Sequence, residues 1–310
     1  MSAQPTPEAL PAEPTGAGHP AGTPGVDPAR PVLLEVRDMT VAFGGVTAVN
    51  GLSFDAHQGE VLSVIGPNGA GKTSAFNCIT GFYKPSAGRV NFDGHDITGK
   101  RPALIAGRGV ARTFQNLRLF GELTVLDNVR AGMHVRLRQN ALDAILHTPR
   151  YHRSEQEATD EAHRWLDFVG STGDRGSAVR NLPYGEQRRV EIARALAREP
   201  KMLLLDEPAA GLNHGEKEQL LQLLRRISEL GTAVVLIEHD MGLVMDVSER
   251  ICVLNYGKEI ADGTPQQIRT NPAVIEAYLG SDDAEARAEA AQVAQMSDEE
   301  IFGEQQEGRS

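Results

Sequence analysis

Val61-Leu62-Ser63-Val64-Ile65-Gly66-Pro67-Asn68-Gly69-Ala70-Gly71-Lys72-Thr73 is the stretch whose reading decides the fold. Val61 to Ile65 is a near-continuous apolar run, suited to a strand buried on both faces of a parallel sheet. Gly66 to Thr73 satisfies GxxxxGK[ST], and the spacing predicts a helix from Lys72 to about Thr80. Between a strand and a helix, such glycines let backbone N–H groups wrap a polyphosphate, helped by the dipole of the following helix. Lys72 supplies a positive charge for the β- and γ-phosphates, and the Thr73 hydroxyl is a Mg2+ ligand. The motif by itself specifies a nucleoside triphosphate and nothing finer.

Working outward, Met202 to Leu205 is a second apolar strand, and it ends in Asp206 and Glu207. A carboxylate at a strand end beside the Gly-rich loop can bind Mg2+ through water, which is the role read for Asp206. Glu207 is placed to polarise an attacking water. Gly66 and Asp206 are 140 residues apart, far more than one strand–helix–strand crossover needs. Further strands are expected at 33–41, 52–56, 89–92, 109–114 and 233–237, with a hairpin of 250–255 and 259–262. Helices are expected at 186–198 and 216–230, and 125–179 has helical character. Strands alternating with helices predict an α/β chain built on a largely parallel sheet.

The 310 residues suggest roughly two structural units. The chain is 40% hydrophobic and 24% charged, as globular chains are. No apolar run approaches the ~20 residues that span a bilayer, and no basic patch followed by an apolar stretch opens the chain. The expectation is a cytoplasmic protein that is not integral to a membrane. Of the net charge of −11, residues 281–310 carry −7 and residues 1–30 carry −2, leaving the body almost neutral. A basic face for nucleic acid is therefore not required. Residues 1–31 are rich in Pro, Ala and Gly, and 281–310 alternate Ala with acids; both are expected to be disordered tails. Cys78 and Cys252 lack metal-ligand spacing and read as buried free thiols.

A third motif, Leu182-Pro183-Tyr184-Gly185-Glu186-Gln187, precedes the Asp206 strand and opens a helix. It resembles the LSGGQ signature of ATP-binding-cassette (ABC) ATPases, and the order of motifs matches that family over residues 32–280. The resemblance implies a P-loop NTPase of ABC type. Its RecA-like core has a mainly parallel sheet, with an N-terminal antiparallel β-subdomain and a helical insert at about 116–190. It also assigns roles. Gln115 matches the glutamine that reaches Mg2+ and the attacking water, and His239 the histidine that contacts the γ-phosphate. Phe43 matches the aromatic that stacks on adenine. Val49 and Ser74 join Gly66, Pro67, Asn68, Gly69, Ala70, Gly71, Lys72 and Thr73 as ATP-binding positions. Gly211, Leu212 and Asn213 occupy the D-loop. The signature would act in trans, on ATP held by a partner subunit. Two departures stand out: the signature serine is Pro183 and its first glycine Tyr184, and the D-loop aspartate is Asn213.

Phe43-Gly44-Gly45, Arg112 to Phe120, Leu182 to Gly185, Glu238-His239-Asp240-Met241 and Asn271-Pro272 through Gly280 are similar to LivG-type ATPase subunits of bacterial branched-chain amino-acid importers. That likeness implies ATP and Mg2+ as cofactors. It implies a LivF-type sister ATPase, two membrane permeases and a periplasmic binding protein as partners, with no nucleic acid. The chain would lie on the cytoplasmic face of the bacterial inner membrane, held there by the permeases. Amide, urea and lipopolysaccharide-export ATPases are close relatives, and a soluble ABC ATPase is the alternative of a different class. Leu117, Leu119, Phe120, Leu123 and Val125 either pack the insert's own core or line a groove for a permease helix. Arg130, Arg136, Arg138, Arg150 and Arg153 either face lipid head groups or form a solvated surface.

Overall fold

The structure, a computed structural model, describes residues 29–133 and 149–279, without the side chains of 149–152 and 279. Residues 1–28 and 281–310 of the expected tails, Arg136, Arg138 and the Arg150 side chain lie outside the described residues. Contrary to expectation, the end of the first tail is not disordered: Arg30 pairs with Glu249 at 2.7 Å, and Pro31 O accepts from the Gln58 N–H at 3.0 Å.

The chain opens with a hairpin, β1 (Val32–Phe43) and β2 (Val46–His57), turning at Gly44-Gly45. Next come β3 (Val61–Ile65), α1 (Lys72–Ile79), β4 (Ala87–Phe92), β5 (His95–Asp96), α2 (Pro102–Gly107) and β6 (Val110–Arg112). The helical stretch holds α3 (Val125–Met133), α4 (Pro149–Phe168), a 3-10 turn at Val179–Asn181 and α5 (Tyr184–Leu196). Then β7 (Met202–Asp206), α6 (His214–Glu229), β8 (Ala233–Ile237) and α7 (Met241–Val247) alternate. The described chain closes with β9 (Arg250–Asn255), β10 (Lys258–Gly263), α8 (Pro265–Arg269) and α9 (Pro272–Leu279). Expected boundaries fell within a few residues at most elements, but β2 begins six residues earlier than expected, at Val46 rather than Leu52. Its Val46-Thr47-Ala48-Val49 segment lacks strict alternation yet pairs with Val41 to Phe43 across the turn.

Two sheets organise these elements: an antiparallel one ordered β2-β1-β4-β5, and a six-stranded one ordered β10-β9-β3-β8-β7-β6. In the second, β9, β3, β8, β7 and β6 run parallel and only β10 is antiparallel. Alternate residues of its central strands feed different cores. Met202 and Leu204 of β7, with Ala233, Val235 and Ile237 of β8, pack with the β1–β2 hairpin and α1. Leu203, Leu205, Val234 and Leu236 pack with the inner faces of α3, α4, α5 and α6. Burial on both faces explains why these strands read as unbroken apolar runs. No helix among the described residues is long and apolar enough to cross a membrane.

The two open readings of the 116–125 region divide. Val125 is fully buried in the helical core and Leu119 packs against it, whereas Phe120 and Leu123 are exposed. Arg130 is tied to Asp127 and Glu155 on its own surface. Cys78 and Cys252 are buried and unbridged, and burial pushes the Cys78 thiol up to about 11.

Candidate active site

Four loops leave the parallel sheet at one end, because β3, β6, β7 and β8 all point the same way. In open α/β sheets this carboxyl end is where ligands bind. β3 delivers Gly66 to Thr73, β6 delivers Gln115, β7 delivers Asp206 and Glu207, and β8 delivers His239.

The Gly-rich loop is shaped for close backbone approach. A Cβ on Gly66 (φ 148°) would sit 2.0 Å from the Leu254 carbonyl oxygen, and one on Gly71 (φ 98°) 2.3 Å from that of Ala48. Val49, fully buried, packs beneath Gly71. Gly71 caps α1 without any side-chain acceptor, and no acid occupies the first turn. The first-turn donors and positive dipole end thus suit an anion. Lys72 Nζ reaches back to Gly66 O at 2.5 Å and Pro67 O at 3.1 Å. Thr73 and Asn68 are exposed, and Ser74 is half-buried. Phe43 is half-exposed, with Tyr83 edge-on to its ring at 5.0 Å between centroids.

Three of the expected residues meet directly. Gln115 Nε2 donates to Glu207 Oε2 at 2.7 Å, and His239 Nδ1 lies 3.8 Å from that same oxygen. Glu207 has a left-handed backbone (φ 48°), rare for a residue with a Cβ, and its N–H bonds Ile237 O at 2.9 Å. Asp206 is buried, and its Oδ2 accepts from Arg112 at 2.8 Å. Arg112 also donates to Asn77 of α1 and to Thr80, which caps that helix, and stacks on Phe114, so it ties Asp206 to the helix after the Gly-rich loop.

The Mg2+ assignment has an all-oxygen donor set: Thr73 hydroxyl, Asp206 carboxylate and Gln115 amide. Among the described residues no group of three or more His, Cys, Asp or Glu is placed to hold a metal alone. A donor set of neutral oxygens with a single carboxylate fits Mg2+, whose remaining positions would be filled by substrate phosphates and water.

The signature and D-loop segments lie beside each other on the flank of this site. Pro183 is the N-cap of α5 (φ −54°, ψ 153°), and Tyr184 and Gly185 form its first turn. The Tyr184 ring stands 3.3 Å from where a Cβ on Gly211 would be. Tyr184 Oη accepts from Arg188 at 2.9 Å, and the buried Arg188 also donates to Phe114 O and Gln115 O. Leu182 O accepts from Gln187 Nε2, and Glu186 accepts from Ser171 and Thr172. Leu212 packs against the helical core. Asn213 caps α6 in a reciprocal box with Glu216. Arg112 and Arg188 carry no functional reading from sequence. Their only signal is a cation within an otherwise apolar or motif-bearing run.

A cavity of about 340 Å3 opens elsewhere, between α2, β6 and the helical elements, with Phe82, Ile105, Phe114, Phe120, Arg194 and Arg198 on its walls.

The family model described as ABC transporter matches residues 49–210, and one described as branched-chain amino acid ATP-binding cassette transporter matches 258–284. The high-affinity branched-chain amino acid transport ATP-binding protein BraF of Pseudomonas aeruginosa is 49% identical over 80% of this chain and 98% of its own length. LivG of Escherichia coli K12, of the same description, is 46% identical over 80% and 98%. The crystal structure of the ADP conformation of an ABC-transporter ATP-binding cassette superposes with a TM-score of 0.71 at 31% identity, covering 81% of this chain and all of that one.

Proposed function

Since the chain belongs to the ABC transporter ATP-binding family, we propose that it is the ATP-hydrolysing subunit of an importer for branched-chain amino acids. The observation that carries the reading is the convergence of the Gly66–Thr73 loop, Gln115, Glu207 and His239 at one end of the parallel sheet. The substrate class is supported by the names of the relatives and by the match over residues 258–284.

In this reading the Gly-rich loop and the start of α1 bind the polyphosphate, and Lys72 exchanges its loop carbonyls for phosphate oxygens. Phe43 takes the adenine side, while Val49, buried beneath Gly71, supports the loop rather than touching the base. Thr73, Asp206 and Gln115 would hold Mg2+, which when bound neutralises charge on the β- and γ-phosphates. Glu207 accepts a proton from the attacking water, with Gln115 orienting its carboxylate. His239 contacts the γ-phosphate from the opposite loop. The segment Leu182–Gln187 completes the site of a sister ATPase, a LivF-type subunit. Two permeases hold the pair at the inner membrane and receive amino acid from a periplasmic binding protein. The groove beside Phe114 and Phe120, apolar with arginines at its wall, is the proposed permease contact.

Uptake of labelled leucine, isoleucine and valine tests this in cells lacking the gene. Uptake should fall on deletion, return with the wild-type chain and not return with Glu207→Gln. Undiminished uptake of all three, with lost uptake of urea or an amide, would overturn the substrate assignment.

A further inference from the structure

Glu238 stands between the two hydrolytic loops, and neither sequence nor family roles give it a task. Its side chain is fully buried, and His239 is its ion-pair neighbour among the described residues. Oε1 accepts the Ala209 N–H at 2.7 Å, two residues beyond Glu207. Oε2 accepts the His239 N–H at 3.1 Å and lies 3.8 Å from His239 Nδ1. That nitrogen is equally 3.8 Å from Glu207 Oε2, so the imidazole edge sits between two carboxylates. Burial pushes the Glu238 carboxyl up, against the N–H groups of Ala209 and His239 that favour its charged form. A carboxylate stripped of water without a full cation is an unfavourable thing to keep in a core. What it gains here is two acceptors reaching two loops at once. β7 and β8 are adjacent and paired up to Asp206 and Ile237, and Glu238 extends that pairing beyond the strand ends.

We propose that Glu238 is a positioning residue that ties the His239 backbone to the Glu207–Ala209 turn, so that the imidazole is held facing the Glu207 carboxylate 3.8 Å away. This role rests on reading Glu207 and His239 as the hydrolytic pair. A purely structural acid at this place would stabilise both loops whether or not the ring of His239 were present. A positioning acid loses its purpose when that ring is removed.

The test is a double-mutant cycle on steady-state ATPase, using the full chain in its transporter complex. Glu238→Gln should lower kcat about tenfold with the KM for ATP changed less than about twofold, and the same change in a His239→Ala background should alter kcat less than about twofold. Equal losses in both backgrounds, or an unchanged kcat on the wild-type background, would overturn the proposal. If Glu238→Gln does not fold, Glu238→Asp keeps the charge, retracts the oxygens and is judged by the same criteria. Glu207→Gln is run beside them. Should it retain turnover, the hydrolytic reading has failed by itself. The histidine ring signals of the full chain in solution then decide: Glu238→Gln should move those of His239 alone, and unmoved signals overturn the claim.

Discussion

Glu207 carries its carboxylate on a left-handed backbone, a conformation that costs about 1–3 kcal/mol for a residue with a Cβ. The cost is offset by the N–H bond to Ile237 O and by Gln115, whose amide takes one carboxylate oxygen at 2.7 Å. Glutamine at position 207 is nearly isosteric and accepts no proton. Glu207→Gln should therefore cut turnover in the assembled transporter about 10²–10⁴-fold while leaving ATP affinity unchanged. Single-turnover hydrolysis beside equilibrium binding of ATP checks both halves, and near-normal turnover would remove Glu207 from the role of base. Much at this scale was legible in the sequence. Gly66 to Thr73, Asp206 and Glu207 have fixed neighbours along the chain, so a strand and a loop suffice to place them. Arg112 was not legible, because its partners Asn77, Thr80 and Asp206 are 32 to 94 residues away. Nothing local tells a cation at a strand end that it will meet a carboxylate from another strand.

Elements are joined by a buried arginine as much as by apolar surface. Arg250 of β9 donates from Nε to Glu60 at 2.8 Å and from Nη1 to Asp262 of β10 at 2.7 Å, and it reaches the Asp55 carbonyl of β2. It thereby clips the antiparallel sheet to the parallel one. Removing one partner of such a set leaves a buried charge alone, so Arg250→Met should destabilise by about 3–5 kcal/mol in denaturant unfolding. Burial opposes ionisation of Glu60, but His57 and Arg250 outweigh it and hold the carboxyl below its ordinary value. A carboxyl lowered in the folded state stabilises above its unfolded value and loses that contribution as pH falls through the folded one. Unfolding free energy should thus drop below roughly pH 4, and more weakly in Arg250→Met. Strand identities came readily from sequence, since β3, β7 and β8 are apolar throughout. Short elements did not: α2 and α7 have six and seven residues, too few to show a period. The start of α6 at His214 was missed because its signal is the Asn213–Glu216 box, not periodicity.

At the scale of the whole assembly, each hydrolytic site is proposed to combine one subunit's Gly-rich loop with another's signature. In this chain Pro183 is the N-cap of α5 and offers neither hydroxyl nor N–H, so the sister's ATP would meet only the Gly185 backbone and the helix end. If the sister supplies a serine there, the ATP held by Lys72 and Glu207 has the better-equipped site. Turnover should then fall further when Glu207 is changed than when the sister's equivalent acid is changed, one at a time, in the reconstituted transporter. Equal losses would remove the asymmetry, and a larger loss from the sister would reverse it. Pro183→Ser separates folding from chemistry in the same experiment. The backbone at position 183 (ψ 153°) is already that of a capping residue, and serine is among the preferred caps. The variant should melt no lower than the parent chain. With the hydroxyl restored, activity lost by changing Glu207 should be partly regained through the sister's site, because that site is the one the introduced hydroxyl would complete. No gain would mean that the N–H groups at the start of α5 already bind the γ-phosphate as well as a serine can. The imbalance would then have to come from Asn213 or from the sister chain.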